Sequence, residues 1–558
     1  MKPCAPPAHR RDHRAAARAT APLACAILLA CALWAAPAAA ALQYLDNGVI
    51  RVGVDMVRGG AIGYLSLSGT SDNVVNTRDL GRYIQQSYYS GPTPYIPAGA
   101  IQHPAYAGWG WNPVQAGDVY GDQGVVTGSS NDGTTLYLQA RPKQWALRNV
   151  NADGLVEQWI TLDAARVHVH CRLTNARADS TRYPARHQEL PAIYTIGRLS
   201  HLYSYTGSAP FTGGAVTQIA NSGPPWAYWS ATENWSALVD AGGWGLGVVH
   251  AGATLTVGGF HGTPGSGGPL DDATGYLAPL QTEVLDQAIV YDYEYTLILG
   301  NLDTDIRAWA VAHAPAPGPS CVFTSGRAHC TTGNLTDGRA PYSGFWPLAL
   351  DAADPQILLP PSLWQASDVP SILVTGAWRT QNATAEVFFA GADGAFSGDK
   401  RLEFAVIPDG QVRSYRLDLS AHPLYTGAIS RLRLDPIVAR SAGDAVDLYA
   451  ITTASPAATP GRPAGNHFAI VATAAPNPFN PSTNIKFDVT RTGRVQVMVF
   501  DVRGRLVRTL LDETLPAGPA TLAWDGRDDA GHPAAAGTYH ARVQADRQAG
   551  LVRLMLLK

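Results

Sequence analysis

The chain has 558 residues, a formal net charge of −3 and only 15% charged residues, with 56 Gly, 40 Pro and 14 Trp. That length exceeds what one hydrophobic core serves, so several domains are expected. The mildly acidic balance offers no basic face for nucleic acid. Short Val/Thr/Tyr-rich runs lie between clusters of Gly, Pro, Asn and Asp, and sustained helical periodicity is missing. The pattern argues for antiparallel β-sandwiches.

Residues 1–40 read as a secretory signal peptide. Arg10, Arg11, Arg14 and Arg18 form a basic start, residues 23–34 an apolar run too short for a comfortable span, and Ala38, Ala39 and Ala40 a small-residue cleavage site. The mature chain is expected to begin at Ala41 or Leu42. Cys4, Cys25 and Cys31 fall in this leader. Of the others, Cys321 and Cys330 bracket a short loop and are expected to form a disulfide in an exported protein. Cys171, in an alternating run, reads as a small buried residue. Cysteine and histidine spacing supports no zinc site, so no metal or cofactor is expected; calcium stays open in the Asp/Asn/Gly-rich turns, although no ligand spacing there supports it.

Residues 42–313 read as one large β-sandwich. It opens with alternating strands around residues 44–54 and 62–67. In residues 79–92 an extended strand places Arg82, Ile84, Gln86 and Tyr88 on one side, and Tyr83, Gln85, Ser87 and Tyr89 on the other. Aromatic rings with amide and guanidinium donors suit a sugar, whose apolar faces stack and whose hydroxyls take forked donors. Asp79, Arg82, Gln86 and Tyr88 are therefore candidate groove residues. The alternative is a surface strand with tyrosines bridging core and solvent. A long irregular stretch follows, residues 93–124. Its aromatic load, including Trp109 and Trp111, argues for a functional loop. His168 and His170 share a strand face, which reads as solvated for want of a third ligand.

Arg186, His187 and Glu189 stand together before an apolar strand, a candidate tuned acid/base cluster. Farther on, Trp226, Glu233 and Trp235 combine aromatics with a carboxylate. Glu189 and Glu233 are the candidate carboxylate pair for glycoside hydrolysis. For elimination, Tyr88 or His187 would abstract the proton, with Arg82 or Arg186 on a uronate carboxylate. Each carboxylate also admits a purely structural role in a salt bridge or cap. Asp292 and Glu294 alternate along a core strand and read as structural.

In scale and strand order this region resembles the supersandwich of the galactose mutarotase-like superfamily, a fold also found in glycosidases and polysaccharide lyases. No family residue is carried across, and no run of helices accompanies the region. A Pro-rich linker follows, then residues 320–455. There, alternating strands joined by Pro408-Asp409-Gly410 and a strand ending at Leu434-Asp435-Pro436 resemble the jelly-roll modules of carbohydrate-active proteins. Trp364 and Trp378 fit either sugar stacking or a core. Residues 456–472 read as a flexible linker. Residues 473–558 carry Asn477-Pro478-Phe479-Asn480-Pro481, Asp501-Val502-Arg503-Gly504, Trp524-Asp525-Gly526 and Ala536-Gly537-Thr538-Tyr539. They resemble the FlgD-like Ig domain that doubles as a type A sorting domain of type IX secretion.

The fold class expected is therefore all-β: a large β-sandwich, a second, jelly-roll-like β-sandwich and a small C-terminal Ig-like sandwich. The function expected is that of a secreted or outer-surface bacterial protein that binds and processes a polysaccharide or oligosaccharide, as a glycosidase or lyase. The competing reading is a non-catalytic glycan-binding or structural surface protein. The expected partners are the glycan and, through the C-terminal domain, the secretion machinery. Arg82, Gln86 and Tyr88 are expected to share a cleft with Glu189.

Overall fold

The structure is a computed structural model that describes residues 42–220, 223–454, 472–489, 492–501, 506–516, 518–545 and 548–557. The expected leader, and all of the expected second linker but its last residue, lie outside the described residues. The chain divides into two compact units. One holds two sandwiches built from residues up to 451. The other holds the C-terminal domain with the short segments 315–319 and 368–373.

The first sandwich packs a ten-stranded front sheet on a nine-stranded back sheet. The middle of the front sheet runs Ala61–Leu67, Ile84–Ser87, Arg186–Ile196, Thr274–Glu283, Leu255–His261. At the middle of the back sheet lie Trp244–Val249, Val290–Asn301, Arg166–Asn175 and Gly154–Asp163. Period-two sequence dictates the layers. Along Arg166–Asn175, Val167, Val169, Cys171 and Leu173 are buried while His168, His170 and Arg172 face outward. The neighbouring strand turns Tyr291, Tyr293 and Tyr295 inward. Its outward Asp292 takes His170 at 2.8 Å and Arg172 at 2.9 Å.

A second sandwich of two six-stranded sheets follows. Trp346, Trp378 and Phe389 fill its core. Trp364 and Trp378 are both buried there, with indole N–H groups donating to Tyr425 and to the Pro436 carbonyl, so neither is free to stack on a ligand. Ion pairs join the two sandwiches. Arg327 holds Asp286 at 2.7 Å, Arg182 reaches Asp337 at 2.5 Å, and His329 pairs with Glu283. The expected Cys321–Cys330 disulfide is not formed. The thiols are buried and free, their sulfurs 3.6 Å apart.

The C-terminal domain is a three-stranded sheet on a four-stranded one. Phe479, Val495, Val497, Val499, Trp524, Val543 and Leu554 close its core.

Candidate functional site

The front sheet presents Glu189 outward at the point where its strand breaks regular pairing. The Arg186–Ile196 strand carries a bulge between Glu189 and Ile193. Pro191 lies inside that interval and has no N–H to give the ladder. Glu189 stands opposite Leu280, and Tyr194 opposite Tyr276. Leu280 and Tyr276 share one face of their strand, so the bulge brings Glu189 and Tyr194 to the same side despite their odd separation. Tyr276 tilts against Tyr194 at 4.7 Å and against Trp226 at 5.0 Å.

Glu189 is partly exposed, and its Oε1 accepts two phenols, Tyr276 at 2.7 Å and Tyr89 at 2.9 Å. Burial raises its pKa above the usual carboxylate range, and the hydroxyls of Tyr276, Tyr89 and Ser87 offset part of that rise. His187 lies two positions earlier on the same face, about 7 Å away by strand geometry. Its Nδ1 meets Thr282 Oγ1 at 3.0 Å, and burial lowers its pKa, favouring the neutral ring.

Tyr89 links this carboxyl to a cavity of about 260 Å³ lined among others by Ser90, Trp109, Trp111, Asn112 and Arg186. The long loop after Tyr89 folds back on itself. Ser90 N donates to Trp111 O at 2.8 Å, and Tyr95 N to Trp109 O at 3.0 Å. Glycine is required where the two passes touch. A Cβ on Gly91 (φ +81°) would meet Trp111 Cβ at 2.5 Å, and one on Gly110 would meet Ser90 O at 2.6 Å. Trp109 is 38% exposed and rests edge-on against Tyr106 at 4.9 Å. Trp111 is buried in the cavity wall rather than free to stack. Ser90 Oγ, Trp111 Nε1 and Asn112 Oδ1 are buried without a hydrogen-bond partner among the described residues.

The sequence-expected residues separate into two groups. Arg186, Trp109 and Trp111 line the cavity, Glu189 lies behind Tyr89, and Trp226 flanks Tyr276. Asp79 and Arg82 pair at 3.2 Å near Tyr194, whose pKa both influence, and Arg82 also holds Asp272. Gln86 and Tyr88 are not in the cleft. Both are buried on the opposite strand face, where Tyr88 donates to Gln86 at 2.7 Å and packs edge-on against Tyr291. The shared cleft expected for them with Glu189 is therefore absent: the face that carries Gln85, Ser87 and Tyr89 is the one that meets Glu189.

Trp235 opens a strand of the back sheet, Trp235–Val239, and Glu233 stands in the turn just before it. Glu233 is buried and holds Arg307 through both oxygens at 3.0 Å each, with further bonds from Phe211 N and Trp235 Nε1. It shares no partner with Glu189, and with its oxygens so engaged it is a structural carboxylate. Tyr89, Tyr194 and Tyr276 are site residues that the sequence reading did not select. Among the described residues no cluster of three or more His, Cys, Asp or Glu is placed to hold a metal ion.

Residues 477–549 match the FlgD Ig-like domain. That match covers most of the C-terminal sandwich and bears out the FlgD-like Ig part of the resemblance. No curated protein matches the chain. Among solved structures, the chain is similar to a galactose mutarotase related enzyme from Lactobacillus acidophilus, at 9% identity over 48% of this chain and 99% of that one, TM-score 0.32. A galactose mutarotase-like protein from Lactobacillus casei is similar at 10% identity over 46% and 99%, TM-score 0.31. The 4-alpha-glucanotransferase from Thermococcus litoralis is similar at 12% identity over 47% and 37%, TM-score 0.27.

Proposed function

We propose that this chain binds a polysaccharide or oligosaccharide on the outer face of the front sheet and processes it by proton transfer through Glu189. One observation carries the reading: Tyr89 both lines an aromatic cavity and donates to a carboxyl whose pKa is raised. A sugar ring stacked on Trp109 and Tyr89 would sit beside an acid able to donate a proton. His187, kept neutral, is the partner base.

Hydrolysis by a Glu189–Glu233 pair has no support in this geometry, because Glu233 is committed to Arg307 of the helical segment Leu302–Arg307. The same fact favours a second reading, glycan binding without turnover. Reducing-sugar and unsaturated-uronate release across a polysaccharide panel, with tryptophan fluorescence as the binding readout, separates the two. Product release that is lost in Glu189→Gln supports processing. Binding without release supports the second reading, and neither signal on any glycan rejects both.

We further propose that the chain is exported to the cell surface or medium, with the C-terminal domain addressing the secretion machinery. The leader composition and the Ig-like match support this. Fractionation of the native host, with and without residues 473–558, tests it. Equal export of both forms would refute the sorting role.

A further inference from the structure

Two arginines compete as the anion-binding group of the site, and their surroundings decide between them. Arg82 is consumed: it bonds Asp79 and Asp272 side chains and the backbone oxygens of Asp271 and Asp272. Arg186 is exposed, lines the cavity, and makes no ion pair or side-chain hydrogen bond among the described residues. The acid opposite it in the ladder is Glu283. That carboxylate is already taken by the Tyr291 phenol at 3.1 Å and by His329. A guanidinium left with its fork of donors free, at the wall of an aromatic cavity, is complementary to a planar anion. Three residues of the same wall, Ser90, Trp111 and Asn112, each also keep a buried polar atom without a partner among the described residues.

We infer that the ligand of this cavity is an acidic saccharide, whose carboxylate or sulfate ester is held by Arg186 while its ring stacks on Trp109. The inference rests on the saccharide reading above and narrows it to one class.

Calorimetric titration of the full chain with three oligosaccharides of equal length tests it: an oligogalacturonate, a sulfated oligosaccharide and a neutral cello-oligosaccharide. The acidic ligand should bind about 10- to 100-fold more tightly than the neutral one, as a charge-assisted hydrogen bond implies, and its affinity should fall with added salt. Whichever acidic arm binds identifies carboxylate or sulfate as the anion. Arg186→Ala should abolish the difference by weakening the acidic ligands, and Arg186→Lys should restore it in part. Trp109→Ala should weaken acidic and neutral ligands alike. Equal affinity for acidic and neutral ligands, or a preference that survives Arg186→Ala, would overturn the inference and leave saccharide binding standing. No binding of any of the three would overturn it together with the reading beneath it.

Discussion

Tyr276 donates its phenol to Glu189 across adjacent strands of the front sheet, 2.7 Å apart. The tyrosine is buried and the carboxyl is partly open, so the bond fixes a titratable group from below. Hydrogen bonds to a carboxylate favour its ionised form. Tyr276→Phe should therefore raise the Glu189 pKa further. Carboxyl titration by NMR would show the midpoint moving to higher pH, at a stability cost of about 1 kcal/mol for the lost bond. A midpoint that falls or stays fixed would mean that the phenol does not govern this group.

Glu189 also leaves a signature in stability. Its folded pKa is raised above the unfolded value, so the native state binds the proton more tightly. Between the ordinary carboxylate value, about 4.3, and the raised folded one, wild-type stability falls as pH rises. Glu189→Gln carries no such titration. Urea midpoints measured across that window should show the variant gaining on the wild type with rising pH. A constant difference would contradict the raised pKa.

His250 gives the opposite slope. Burial pushes its pKa down from 6.5 to about 4, Gly252 N donates to its Nδ1, and its Nε2 has no partner among the described residues. The unfolded chain takes up a proton there below its normal pKa while the native state does not. Stability should be lost as pH falls from 6.5 to about 4, by on the order of 3 kcal/mol. In His250→Gln this part of the acid limb should vanish from the urea midpoints. An unchanged acid limb would assign it to other groups.

Much of this architecture was legible because alternation is a local signal. The three sandwiches follow from period-two runs and their turns, and the C-terminal domain also from its Asp/Gly turn chemistry. The cavity was partly legible: Arg186, Trp109 and Trp111 gather there because a loop dense in aromatics had to fold against something. The face of residues 84–89 was not. Alternation divides Gln86 and Tyr88 from Ser87 and Tyr89, but both sets mix polar and aromatic side chains, so hydrophobicity gave no reason to choose. The choice is made by register with Glu189, a contact about a hundred residues away in sequence. Pro191 was the available hint of a bulge, yet which side chains it realigns depends on pairing with Tyr276. The sequence leaves Glu233 open between a catalytic and a salt-bridged role because its cation, Arg307, lies far along the chain.

One paired experiment tests most directly whether Glu189 acts in chemistry while Glu233 holds the fold. Glu189→Gln and Glu233→Gln are assayed side by side for product release on the best glycan of the panel and for unfolding in urea. Glu189→Gln should lose turnover and keep its fold. Glu233→Gln should lose about 3–5 kcal/mol of stability by breaking a buried ion pair, and retain turnover in whatever fraction stays folded. Full turnover in folded Glu189→Gln, or turnover abolished in folded Glu233→Gln, would contradict the account.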